Sequence, residues 1–197
     1  MQNTVVPTHV ALLRGINVGG RNKVAMADLR ALMVRLGHTE VATYIQSGNA
    51  VFTRGDVETT ALAATLERAI ADTLDVRPKV VVISRAELAQ VIADNPYPEE
   101  TNPRCLHAVF GIGEVGFDGA AALVAAEERT RATGSRDEAQ VVGRTLFLHT
   151  PDGLGRSELA AQLSRAAAAP SGYSVGTVRN WATVCKLLAL CGKDPLR

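Results

Sequence analysis

The apolar positions of this chain fall in short blocks whose spacing switches between the period of a strand and that of a helix. Residues 9–14 (HVALLR) form a compact apolar run and read as a buried strand. A polar, glycine-rich stretch follows over 15–23. Over 26–36, Leu29, Leu32, Met33 and Leu36 recur at separations of three and four, which predicts an amphipathic helix. Gly37 stands where a left-handed C-terminal cap belongs. Residues 41–46 and 50–53 read as strands joined at Ser47-Gly48-Asn49, a hairpin. Leu62, Leu66, Ile70 and Leu74 share one face of a helix over 60–74, and Pro78 opens a strand over 79–83. Strand-helix-strand-strand-helix-strand is the order of a split β-α-β, or ferredoxin-like, unit, whose helices cover one face of an antiparallel sheet.

Ser84 and Glu87 have the capping-box spacing and start a helix with Leu88, Val91 and Ile92 on its apolar face. Asn95-Pro96-Tyr97-Pro98 ends it and marks a boundary between an N-terminal half, 1–95, and a C-terminal half, 96–197. The second half repeats much of the order. It has a strand over 105–110, a helix over 120–129, and strands over 138–142 and 145–149. Gly143-Arg144 between the last two is a glycine-first pair suited to a type II′ turn. A helix over 157–168 is capped by Ser157, a short closing strand is expected over 173–175, and an added helix over 177–191. The expected class is α+β: two ferredoxin-like halves, antiparallel sheets with helices on one face, and an extra C-terminal helix. A single interleaved α+β domain is the alternative.

Composition narrows the picture. The 197 residues are 47% hydrophobic and 21% charged, with 21 Lys and Arg against 20 Asp and Glu. That balance excludes collagen, a disordered chain, a disulfide scaffold and a strongly basic nucleic-acid coat. A chain of this length buries roughly 70% of its unfolded surface and needs no staples. Cys105, Cys185 and Cys191 are sparse and show no metal spacing with a histidine, so reduced thiols, no metal and no cofactor are expected. With no leader pattern at 1–7 and no apolar run of membrane-spanning length, the expectation is a cytoplasmic protein that uses no membrane.

Two polar loops are the candidates for chemistry. The first runs from Arg14 through Gly15, Asn17, Gly19, Gly20, Arg21 and Asn22 to Lys23, between a strand and a helix. Its glycines permit positive φ and close approach of backbone to a ligand. Backbone N–H groups at a helix start, with Arg14, Arg21 and Lys23 nearby, suit an anion. No Gly-Lys-Ser/Thr follows, so this is not a P-loop. The second is Gln46-Ser47-Gly48-Asn49; a turn needs only Gly48 and Asn49, which leaves Gln46 and Ser47 for a ligand. In a split β-α-β sheet both loops lie at the same end, together with Arg77. Convergent polar groups of this kind mark a candidate ligand site.

Other motifs weigh less. Residues 111–116 (GIGEVG) match G-x-G-x-x-G, but Asp137 and Glu138 start a strand that turns straight into a hairpin, where a dinucleotide fold wants an acid at the end of a parallel strand. A flexible loop is the better reading. In the last helix Val178, Trp181, Val184, Cys185 and Leu188 form an apolar stripe. Arg179, Thr183 and Lys186 lie opposite, as a solvated face or a basic rail toward a phosphate, with Asn180 beside them. His9, His38, His107 and His149 show no metal spacing, and no nucleophile–base pair is legible, so catalytic residues are unknown.

Three segments carry a family resemblance. They are residues 12–20 (LLRGINVGG) with Asn22-Lys23-Val24, residues 44–49 (YIQSGN) with Val51-Phe52, and, within 177–187, Thr177, Arg179-Asn180-Trp181, Thr183-Val184 and Lys186-Leu187. Together they resemble the bacterial domain-of-unknown-function family number 1697. Residues 153–159 (GLGRSEL) resemble a further family stretch, with Glu158 where a lysine is expected; Ala25 stands where a proline is expected. The resemblance implies a compact α+β fold with ferredoxin-like halves, and no assigned activity, cofactor or catalytic residue.

Three functions follow from the residues. The first is a binding module for a phosphate-bearing ligand, a nucleotide or single-stranded RNA, although the aromatic platform of an RNA-recognition motif is missing. The second is an enzyme acting on a phosphorylated small molecule, with Arg14 and Asn17 as an oxyanion-type clamp. The third is a homodimeric interaction domain built on the alanine-rich helices.

Overall fold

A computed structural model of the chain describes residues 7–55, 57–111, 119–167 and 176–192. The first sheet is built around β1 (His9–Arg14), which pairs antiparallel with β3 (Asn49–Thr53) and with β4 (Lys79–Ser84). β2 (Thr39–Tyr44) completes it on the far side of β3, giving the order β2-β3-β1-β4. This is the arrangement a split β-α-β unit requires: β1 and β2 run parallel with β3 between them.

Pleating decides what each strand residue meets. Ala11 and Leu13 of β1, Ala50 and Phe52 of β3, and Val80 and Val82 of β4 form one buried face. Against it pack Leu29, Leu32 and Met33 of α1 (Met26–Arg35) and Leu62, Leu66 and Ile70 of α2 (Thr59–Leu74). Val10 and Leu12, on the other face of β1, are buried as well. A strand buried on both faces needs a continuous apolar run, which is what residues 9–14 show.

The helix ends follow the expected chemistry. Gly37, at φ 81, lets the amides of Gly37 and His38 turn back to the carbonyls of Val34 and Met33, closing α1 in a Schellman motif. The Arg54 guanidinium then donates to the carbonyls of Leu36 and Gly37. At the start of α3 (Arg85–Ala93) the capping box forms: the Ser84 amide donates to Glu87 Oε2 at 2.7 Å, and the Glu87 amide to Ser84 Oγ at 3.1 Å.

The second sheet repeats the plan. β5 (Leu106–Phe110) pairs antiparallel with β7 (Thr145–His149) and β8 (Thr177–Asn180), and β6 (Glu138–Val142) pairs with β7, in the order β6-β7-β5-β8. Val109, Leu146 and Leu148 meet Leu123 and Ala126 of α4 (Ala120–Ala132) and Leu159 and Leu163 of α5 (Glu158–Ala167). Gly143 has φ 56 while Arg144 is not in the left-handed region, as the expected type II′ turn demands.

A short 3₁₀ turn (Leu154–Arg156) leads into α5. Ser157 Oγ accepts from the Ala160 amide at 3.0 Å and donates to Asp137 Oδ2 at 2.9 Å. Ser157→Ala removes the cap and one partner of Asp137, and is expected to cost about 1–2 kcal/mol, read as a lower urea midpoint.

The C-terminal helix differs from expectation. Residues 177–180 are strand β8, and only Trp181–Cys191 is helical, as α6. β-branched Thr177 and Val178 suit the pleat, and β8 pairs with β5 through four register positions, His107↔Asn180 to Phe110↔Thr177. Asn180 Oδ1 then accepts the Thr183 amide at 2.9 Å and caps α6. The stripe shifts accordingly: Thr183, Val184, Leu187 and Cys191 are buried, whereas Val178 and Cys185 are exposed. The expected strand at 173–175 lies outside the described residues, as does the glycine motif beyond Gly111.

The chain divides into two compact units, residues 1–90 with 185–197, and residues 91–184. In the first, Cys191 at the end of α6 is buried beside Arg85, and its thiol is pushed up to about 11 by burial. Cys105, Cys185 and Cys191 are free thiols. Among the described residues no helix is long and apolar enough to cross a membrane.

Candidate functional site

The first loop is a miniature hairpin. Val18 and Arg21 form an antiparallel bridge, the Arg21 amide donates to the Val18 carbonyl at 3.1 Å, and the Asn17 amide donates to the Asn22 carbonyl at 3.1 Å. Gly19 and Gly20 between them have φ 58 and 76, so both central positions of the turn are left-handed, as in type I′. The turn by itself requires this glycine pair.

Asn17 joins the two loops. Its Nδ2 donates to the Val24 carbonyl at 2.8 Å and to the Gln46 carbonyl at 2.9 Å, while its Oδ1 accepts the Val24 amide at 2.9 Å. Both amide hydrogens are thereby used, so an oxyanion-type clamp would have no N–H from this side chain. Asn22 Nδ2 donates to the Gly15 carbonyl at 3.0 Å, and the wholly buried Asn49 donates to the Tyr44 carbonyl at 3.2 Å. The three asparagines hold the loops in shape.

The side chains that reach solvent here include Arg14, Arg21, Lys23, Gln46 and Ser47, with Val18, Asn22 and Ile45 beside them. Arg14 pairs in register with Lys79, which places the start of β4, and with it exposed Arg77, at the same sheet end. No acid occurs in 14–25 or 44–49; the first one beyond is Asp28 in the opening turn of α1. Lys79 is paired with Glu67 at 3.3 Å. Ala25, the N-cap residue of α1, supplies no side-chain cap to that helix. Ile45, in the second loop, is 51% exposed and held at φ 49, a conformation a β-branched residue rarely takes.

The remaining expected residues belong to other elements. Arg179 and Asn180 belong to β8 of the second unit, and Lys186 is exposed on α6. The Arg179 guanidinium bends back to Thr177 Oγ1 at 2.7 Å and the Val178 carbonyl at 2.8 Å, and burial lowers it to about 10. Thr183 is buried, so residues 179, 183 and 186 make no basic rail on a helix face.

A second polar cluster had no sequence signature, because its members are far apart in the chain. In the second unit His149 Nε2 meets Glu100 Oε2 at 2.8 Å, and the Tyr97 ring stacks on the imidazole at 5.2 Å. The Asn102 amide and His149 hold the Glu100 carboxyl below its ordinary range, and burial, with Glu138 and Glu127, raises the Tyr97 hydroxyl to about 12. His149 Nδ1 is buried, 3.7 Å from Glu138 Oε2. An oriented imidazole is what a general base needs, but this nitrogen is closed to a substrate. Among the described residues no three His, Cys, Asp or Glu are grouped to hold a metal ion.

The model of the family described as "Protein of unknown function (DUF1697)" matches residues 6–147. A solved structure, that of the conserved bacterial protein SP0830 from Streptococcus pneumoniae, is similar at 23% identity over 94% of this chain and 99% of that one, with a TM-score of 0.70. At that identity the likeness speaks to the fold. No curated protein matches.

Proposed function

We propose that this chain, which belongs to the family DUF1697, binds a phosphate-bearing ligand, a nucleotide or single-stranded RNA, at the joined loops of its first unit. The observation that carries this reading is the Asn17–Gln46 link, which fixes an acid-free pair of loops with Arg14, Arg21 and Lys23 exposed around them. Three guanidinium or ammonium groups offer charge-assisted hydrogen bonds to phosphate oxygens. The α1 N-terminus, without a capping side chain, adds backbone N–H groups and a positive dipole end at the close of the first loop. The positive φ of Gly15, Asn17 and Asn22 sets the loop in one shape before a ligand arrives.

The enzyme reading is weaker here, since both amide hydrogens of Asn17 are committed to carbonyls of the protein. A titration of labelled mixed-sequence single-stranded RNA, at about 50 and about 200 mM salt, tests the proposal. Arg14→Ala and Lys23→Ala are each expected to weaken binding about tenfold and to flatten the salt slope by about 0.7 per lost phosphate contact. Affinity unchanged in both variants would sink the RNA form of the reading. The same comparison with a nucleoside triphosphate decides the nucleotide form.

A further inference from the structure

The second unit contains a cavity of about 280 Å³ that opens to solvent. Leu146 and Leu148 of β7 and Val109 of β5 line it from the sheet, and Leu154, Ala160 and Leu163 from the 3₁₀ turn and α5. Cores normally pack without voids larger than a water molecule. This space persists because the α5 positions turned to it include Ala160, Ala161 and Ser164, where longer side chains would reach the sheet. Gly176 closes the wall by the tightest approach of any glycine described: a Cβ there would stand 2.3 Å from the Phe110 carbonyl oxygen.

The lining fixes the chemistry of a guest. Its deep part is aliphatic, and the buried Ser157 hydroxyl is already bonded to Asp137 and the Ala160 amide. The rim carries exposed Gly155, Ser164 and Val178, and Arg156, next to Gly155, is exposed and basic. An apolar cavity of about 150 Å³ holds benzene, six carbons, so a space nearly twice as large accommodates about ten. Leu154, Gly155 and Ser157 come from the 153–159 stretch and Val178 from the 177–187 segment, neither of which the loop site uses.

We propose that this cavity takes the aliphatic chain of a monocarboxylic acid of about ten carbons, the carboxylate at the rim beside Ser164 and Arg156.

The test is a titration of the full chain with decanoate and with decanol, followed through the methyl NMR signals of Leu146, Leu148 and Leu163. Decanoate is expected to shift these signals and saturate at one equivalent. Ala160→Leu fills the space with three further carbons and is expected to weaken both ligands tenfold or more without lowering Tm. Arg156→Gln, on an exposed side chain, is expected to weaken decanoate several-fold and leave decanol unchanged. Unmoved methyl signals at about 1 mM decanoate overturn the proposal. So do cross-peaks, in the ligand-free protein, from these methyls to side chains of residues 168–175, which would make the chain itself the occupant. Equal weakening of decanol by Arg156→Gln overturns the carboxylate assignment.

Discussion

Gly48→Ala is expected to destabilise the protein by about 3 kcal/mol. An alanine Cβ at this position would stand 2.7 Å from Leu13 Cβ and 2.8 Å from Ile16 Cδ1, both on buried residues. The backbone is also at φ 73, where an L side chain is strained. The two costs can be separated. Gly15 has nearly the same φ, 72, with no atom within 4 Å of its Cβ position, so Gly15→Ala carries the conformational cost alone, about 1 kcal/mol. Urea midpoints of the two variants should therefore differ clearly, and equal losses would mean that the Leu13 and Ile16 contacts relax at no cost. Because the Leu13 amide donates to the Gly48 carbonyl at 2.8 Å, displacing the hairpin also moves Gln46 away from Asn17. Gly48→Ala should weaken the loop site together with the fold.

Acid is the second large lever. His38 is 4% exposed, packs on Phe52 with ring centroids 4.6 Å apart, and has no hydrogen-bond partner on either ring nitrogen among the described residues. Burial, then the charge of Arg54 and that of His9, lowers it from 6.5 to about 4. The unfolded chain takes up a proton at this residue near pH 6.5, while the folded protein refuses it until about pH 4. Stability from this residue is thus whole above pH 6.5 and falls as pH drops through that window, by about 3 kcal/mol in all. Burial also lowers His9 and His107, which adds to the loss with the same sign. Urea unfolding at pH 7.5 and pH 4.5 should show the drop in the wild type and a shallower one in His38→Leu. Parallel losses in the two proteins would remove His38 as the cause.

Most of the fold was legible because its signals are local. The strands of both hairpins, the α1 and α2 faces, the Gly37 cap, the Ser84–Glu87 box and the Ser157 cap each depend on residues within a few positions of one another, and each is present in the structure. β8 was missed for a physical reason. Four residues are too few to display a strand period, and 177–180 continue smoothly into the helical pattern of 181–191. The one local signal was Asn180, a favoured N-cap residue directly before Trp181. At the loop site, composition could mark Asn17, Asn22 and Asn49 as polar and suited to turns. It could not reveal that their amides bond back to the protein's own carbonyls, since the Gln46 partner of Asn17 is distant in sequence. His149 and Glu100 illustrate the same limit: a contact between residues so far apart has no period or motif to read.

The division of the chain gives the first unit an unusual timetable. Its final piece, residues 185–197, is made only after the whole of 91–184 has been synthesised. At typical rates of 5–20 residues per second that interval lasts roughly 5–20 s. During it the N-terminal sheet and its two helices are complete on the ribosome, but the place beside Arg85 that Cys191 fills stands empty. The second unit, continuous in sequence, has no such wait. The half that begins first is the half that finishes last, and a chain ending at residue 184 would carry every residue of the second unit joined to a first one that lacks its final piece.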